Sequence, residues 1–179
     1  MKTHNLVLSS FFIALGIILP VVFHMFGGAG NVFLPMHIPV LLAGFFMGKN
    51  YGFVVGIITP ILSCAFTGMP SLLPMLPIML FELGTYGYVS GYLHRTKELN
   101  VSPALFVTML CGRAAAALAV FILVKIIHIP SFSIGPLTYF GGLFITGLPG
   151  MIIQIIFIPF LLKRLHNGYL KYKTKSNLK

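Results

Sequence analysis

Acidic side chains are nearly absent from this chain of 179 residues: aspartate does not occur, and Glu82 and Glu98 are the whole acidic complement. Several catalytic patterns are missing with them. There is no His-Glu-x-x-His zinc motif, no pair of aspartates in an apolar segment, and no serine nucleophile with a plausible base. No Gly-x-x-x-x-Gly-Lys run occurs, so ATP is not held by a phosphate-cradling loop of that kind. Cysteine is limited to Cys64 and Cys111, both in apolar segments, and neither their number nor their spacing suggests a disulfide framework or a metal site. They read as small buried residues. Tryptophan is absent altogether. An enzyme is not expected, and no metal site is.

What the chain has instead is apolar surface. Hydrophobic residues make up 58% and charged residues 8%, where soluble domains carry about a quarter charged residues. That places the protein in a lipid bilayer. The formal charge of +10 raises the question of nucleic acid. The basic residues fall at segment ends and near the C-terminus instead of forming one patch, so no nucleic-acid partner is expected. The first apolar stretch is long for a signal-peptide core and lacks a small-x-small cleavage site, so it reads as a retained membrane helix.

The expected architecture is an all-α membrane protein in a single domain over residues 1–179. Its six transmembrane helices are expected at about 4–26, 35–48, 51–67, 73–92, 103–127 and 138–162, with a basic tail over 163–179. Gly27-Gly28-Ala29-Gly30-Asn31 is too glycine-rich to be helical unaided. Lys49-Asn50 marks a turn, and Pro60 should kink the third segment. Gly44, Gly48, Gly52 and Gly56 recur at intervals of four and read as two close-packing pairs on either side of that turn. Ser10 and Ala14 form a small-xxx-small pair that serves either internal packing or the approach of another helix. Lys2, Lys49, Arg95, Lys97, Lys163, Arg164, Lys171, Lys173, Lys175 and Lys179 would share one side of the membrane, against Lys125 on the other. By the positive-inside rule both termini are then cytoplasmic.

Glu82 stands out. A carboxylate inside an apolar segment is costly, and such residues face a cavity or a partner charge. Thr85 and Tyr86, three and four positions on, share its helical face. Helical rise puts Glu82 about 12 Å below the outer end of its helix and Arg113 about 21 Å below that of its own, so an ion pair needs tilt or side-chain reach. The pair either fixes helix arrangement or leaves Glu82 lining a ligand cavity. In the second case a solute with hydroxyl, amide or amine donors suits a carboxylate, a tyrosine and a histidine near the outer mouth. His37, between Pro35 and Pro39, packs a loop or contacts that ligand, and Gln154 suits helix–helix hydrogen bonding.

The run His37-Ile38-Pro39-Val40-Leu41-Leu42-Ala43-Gly44, with Gly48, Tyr51-Gly52 and Gly56 after it, resembles the substrate-binding S component of energy-coupling factor (ECF) vitamin transporters. So do Thr67-Gly68-Met69-Pro70, Phe81-Glu82-Leu83-Gly84-Thr85-Tyr86-Gly87 and Gly112-Arg113. The likeness covers nearly the whole chain and implies an S-component-like bundle in a prokaryotic plasma membrane. It implies capture of a vitamin or precursor from outside, with Asn31, His37, Glu82, Tyr86 and Arg113 as substrate-binding candidates. It also implies docking on a membrane coupling protein served by two cytosolic ATPases. ATP would be used by those partners, and no cofactor would be bound by this chain. Where the family uses Ala-x-x-x-Ala for docking in the first helix, this sequence has Ser10 and Ala14. Pantothenate, or a cobalamin precursor such as α-ribazole, suits the resemblance. Folate, thiamine and riboflavin suit it less, without tryptophan for ring stacking, although phenylalanine and tyrosine can stack too. The alternative is a solitary secondary transporter or channel for a small polar solute. Against it, no inverted repeat is discernible, and the chain is short for two alternating halves.

Overall fold

The computed structural model describes residues 2–25, 34–125 and 136–176. Among them are six α-helices, as expected: α1 (Lys2–Met25), α2 (His37–Met47), α3 (Lys49–Thr67), α4 (Met75–Gly91), α5 (Val101–Lys125) and α6 (Pro136–Ser176). A π-helical turn, Tyr92–Thr96, extends α4. Four helices carry stretches long and apolar enough to cross a membrane: Thr3–Phe23, Lys49–Thr67, Val101–Lys125 and Phe144–Arg164. The other two are shorter, α2 with 11 residues and α4 with 17.

The break between α2 and α3 falls on Gly48, whose φ of 87° suits glycine, and Lys49 and Asn50 already belong to α3. The Gly48 N–H closes α2 on Gly44 O at 2.9 Å, and its own carbonyl accepts from Gly52 N at 2.9 Å, so one residue ends one helix and starts the next. Gly68, at φ 71°, caps α3 in the left-handed conformation with its N–H on Cys64 O. At the other end of the chain, α6 continues as helix through Ser176, past the point where a tail was expected.

Helix α4 is the centre of the bundle, packing against α2, α3 and α5; α1 covers α2 and α3, and α6 lies mainly on α5. The glycines explain the approach. A methyl at Gly44 or Gly52 would strike Gly87 O, one at Gly56 would strike Leu83 O, and one at Gly91 would strike the Gly48–Lys49 peptide. The four glycines spaced by four therefore join one seam against a single face of α4, not two separate pairs. Outward faces stay apolar: Leu6, Phe11, Phe106, Leu110, Phe121 and Phe160 are all exposed, as a bilayer requires.

Buried hydroxyls are satisfied locally. Thr59 and Thr108 each donate to a carbonyl one turn back, Val55 O and Ala104 O, at 2.7 Å. Among the described residues, buried charge is concentrated in one place.

Candidate functional site

Glu82 and Tyr86 lie one turn apart on α4, so their side chains stack along one face. The Tyr86 hydroxyl donates to Glu82 Oε1 at 3.1 Å. Arg113 of α5 brings Nη1 to the same oxygen at 3.1 Å. From the first turn of α2, His37 places Nε2 at 3.5 Å from that oxygen without forming a hydrogen bond, and its ring meets Tyr86 edge-on at 5.3 Å between centroids. Three helices thus converge on one carboxylate oxygen. All four side chains are buried, Tyr86 at 1% exposure and Arg113, the most open, at 7%.

The expected depth mismatch between Glu82 and Arg113 is bridged by side-chain reach. Gly112 backs directly onto the Tyr86 ring, where a methyl would come within 2.8 Å of Cζ. Helix α5 therefore meets α4 at the level of Tyr86, and the arginine side chain covers the remaining turn to Glu82. Its Nε also donates to Met151 Sδ at 3.4 Å, and its guanidinium lies 6.0 Å from the Phe144 ring, both on α6. Gly147 leaves room for it, since a methyl there would stand 2.6 Å from Nη2. Gln154, 1% exposed, donates to Leu34 O at 3.3 Å and ties α6 to the segment entering α2.

Among the described residues, three polar atoms of this cluster have no hydrogen-bond partner: both ring nitrogens of His37 and Arg113 Nη2. The Glu82 oxygen facing them already accepts from two donors. Groups left over are therefore chiefly N–H donors, in a medium where an unpaired donor is expensive. Among the described residues no cluster of His, Cys, Asp and Glu could hold a metal ion.

His37, Glu82, Tyr86 and Arg113 are brought together, whereas Asn31 lies outside the described residues. Thr85 does not join them. Its hydroxyl donates to Phe81 O at 2.7 Å, and its side chain lines an apolar groove on the outside of α4. Leu34, Phe144, Gly147 and Met151 were not foreseen as neighbours of the site. The spacing of Gly147, Met151 and Gln154, at i, i+4 and i+7, was the available signal that one face of α6 turns inward. Ser10 and Ala14, on α1, are not among the partners of this cluster, and both are exposed. Helix α1 turns Ser9, Phe12, Gly16 and Pro20 inward, so Ser10 and Ala14 lie on its opposite side, in a row with the exposed Leu6 and Ile18.

A family model described as "ECF transporter, substrate-specific component" matches residues 4–162. No curated protein sequence and no solved structure gives a significant match. The match begins in the first turn of α1 and ends within α6, so it includes every element that builds the polar cluster. Its extent, with the apolar helices and their exposed apolar faces, leads to one conclusion: the chain belongs to the substrate-specific components of ECF transporters, multi-pass membrane subunits that serve transport and are not enzymes.

Proposed function

We propose that this subunit captures a small polar solute, a vitamin or vitamin precursor, at the His37–Glu82–Tyr86–Arg113 cluster. The observation that carries this is the set of buried, unpaired nitrogens on His37 and Arg113 beside an already engaged carboxylate. Buried polar atoms in folded proteins nearly always have partners, so orphans confined to one cluster are where a ligand or an ordered water supplies them. The sequence alone favoured a solute bearing donors for Glu82. With Glu82 Oε1 taken by Tyr86 and Arg113, a solute that presents acceptors to Arg113 Nη2 and to the His37 N–H matches the orphaned donors. Pantothenate offers a carboxylate, an amide carbonyl and hydroxyls. α-Ribazole offers hydroxyl oxygens and a ring nitrogen, and so fits with fewer charge-assisted contacts.

Both termini are assigned to the cytoplasm on the distribution of lysine and arginine. This puts the site nearer the outer face, since α2 and α4 start at that end and Glu82 lies seven residues into α4, about 10 Å along its axis. The exposed Ser10–Ala14 row of α1 is the surface for the coupling protein, which works with two cytosolic ATPases to deliver the solute inward. A cysteine placed at Ser71, in the α3–α4 connection, with Cys64 and Cys111 replaced, should react with a membrane-impermeant thiol reagent added to intact cells. Protection from outside and labelling only after lysis would reverse the orientation.

The function is tested by a thermal-shift screen of vitamins and precursors, including pantothenate and α-ribazole, on detergent-purified protein. Arg113→Lys keeps the positive charge opposite Glu82 but removes the second arm of the fork. It should weaken the ligand found by about tenfold or more, the size of a lost charge-assisted hydrogen bond, with the unliganded melting temperature little changed. If no compound stabilises the protein, or if Arg113→Lys binds as tightly as the parent, the cluster is not the binding site.

A further inference from the structure

Helices α3 and α4 leave between them an apolar groove of about 380 Å³ on the outer surface of the bundle, lined by Phe53, Ile57, Leu80, Phe81, Thr85 and Tyr88 among others. Thr85 contributes no free donor, because its hydroxyl is turned onto Phe81 O. The groove is continuous with a file of aromatic rings. Phe53 meets Tyr88 edge-on at 6.4 Å, and Tyr88 stacks on Tyr92 at 6.3 Å with the planes 9° apart. At the end of that file two ammonium groups approach one ring: Lys49 Nζ lies 5.4 Å and Lys97 Nζ 5.8 Å from the Tyr92 centroid.

Local backbone geometry puts both lysines there. The π-helical turn closes with Lys97 N on Tyr92 O at 3.1 Å, five residues apart. In an α-helix residue i+5 is rotated about 140° away from residue i, whereas the wider turn returns it towards the same face. Lys49 arrives by the other route, because Gly91 lets the Gly48–Lys49 peptide pack directly against the end of α4, with Lys49 Cα 2.8 Å from where a methyl on Gly91 would sit. Among the described residues neither lysine has an acidic partner: the ion pairs are those of Glu82, and Glu98 makes none. Arg95 of the same turn is committed elsewhere, donating to Phe46 O at 2.8 Å. Two like charges on one aromatic ring, with no counter-ion among the described residues, favour an anion between or beside them.

We propose that this groove is a binding site for an anionic phospholipid, with one acyl chain lying along α3 and α4 and the phosphate resting on Lys49 and Lys97 over Tyr92. An uncharged groove leading to a basic end matches the two halves of such a lipid, and each lysine near the membrane surface adds attraction for an anionic headgroup. The site is separate from the Glu82 cluster, and its occupancy does not depend on which solute that cluster takes.

Native mass spectrometry of the full chain with phosphatidylglycerol and phosphatidylcholine of identical acyl chains tests the assignment. The parent should retain phosphatidylglycerol about tenfold better, in line with two lysines near an anionic headgroup. Lys49→Gln with Lys97→Gln should bring the two lipids close to parity. Thr85→Phe, which fills the groove, should weaken both lipids while leaving their ratio unchanged. Equal retention by the parent, or an unaltered preference in the double variant, would overturn the proposal. So would a photo-crosslinker at Phe81 that captures the coupling protein or a second copy of the chain in membranes instead of lipid.

Discussion

Glu82 is bonded to its own helix and to the next. Tyr86 holds it from one turn along α4, and Arg113 reaches it from α5, so the same oxygen fixes a side-chain conformation and a helix contact. Glu82→Gln keeps an acceptor for Tyr86 but leaves the guanidinium buried without a counter-charge. Breaking one side of a buried pair costs roughly 3–5 kcal/mol, whereas removing both charges is often close to neutral. Thermal unfolding in detergent should therefore show Glu82→Gln clearly destabilised and Glu82→Met with Arg113→Met much closer to the parent. A Glu82→Gln variant as stable as the parent would mean the pair does not hold the helices. Glu82 and Arg113 were legible in the sequence because charge in an apolar segment is rare and must be accounted for. Thr85 misled for a physical reason: positions i+3 and i+4 flank the same helical face, and only the packing of neighbours decides which turns inward. Here Gly112 leaves space for the tyrosine ring, and Thr85 is left on the outside.

Helix α1 is a single apolar rod with two different sides. The inner side carries Ser9, which bonds Asn5 O and contacts Met47 Sδ, followed by Phe12 and Gly16. The other side offers Leu6, Ser10, Ala14 and Ile18, four positions apart and all exposed among the described residues. Small residues in such a row permit close helix approach, so Ala14→Phe should abolish copurification with the coupling protein while leaving the ligand-induced thermal shift intact. Retained copurification would move the docking surface elsewhere. Among the elements, the six helices could be read from long apolar runs punctuated by glycine and proline. The exact break at Gly48 could not, because Lys49-Asn50 carries the stronger local turn signal, while the positive φ is required one residue earlier. The π-turn at Tyr92–Thr96 has no sequence signature either, since an extra residue in a turn is selected by tertiary contacts.

At the scale of the molecule, the bundle is arranged around α4, whose glycine-bearing face meets α2 and α3 and whose Glu82–Tyr86 face meets α5. This division was partly visible in the sequence as interleaved glycines and polar residues. What could not be read was that both seams belong to one short helix of 17 residues. The opposed charges of Glu82 and Arg113, 3.1 Å apart, have one more effect. A lone elementary charge carried across a membrane would exchange about 2.3 kcal/mol with the field for every 100 mV. Were the proposed site to move relative to the bilayer during transport, the carboxylate and guanidinium would travel together and cancel, doing no net electrical work. Uptake of an uncharged solute by the assembled transporter in vesicles should then be the same at zero potential and at about −100 mV set by a potassium gradient with valinomycin. A rate that follows the potential would show that an unbalanced charge moves with the cargo. If the proposed site carries the cargo, the pair makes it electrically silent, and the direction of transport would be left to the ATP hydrolysis that ECF systems use.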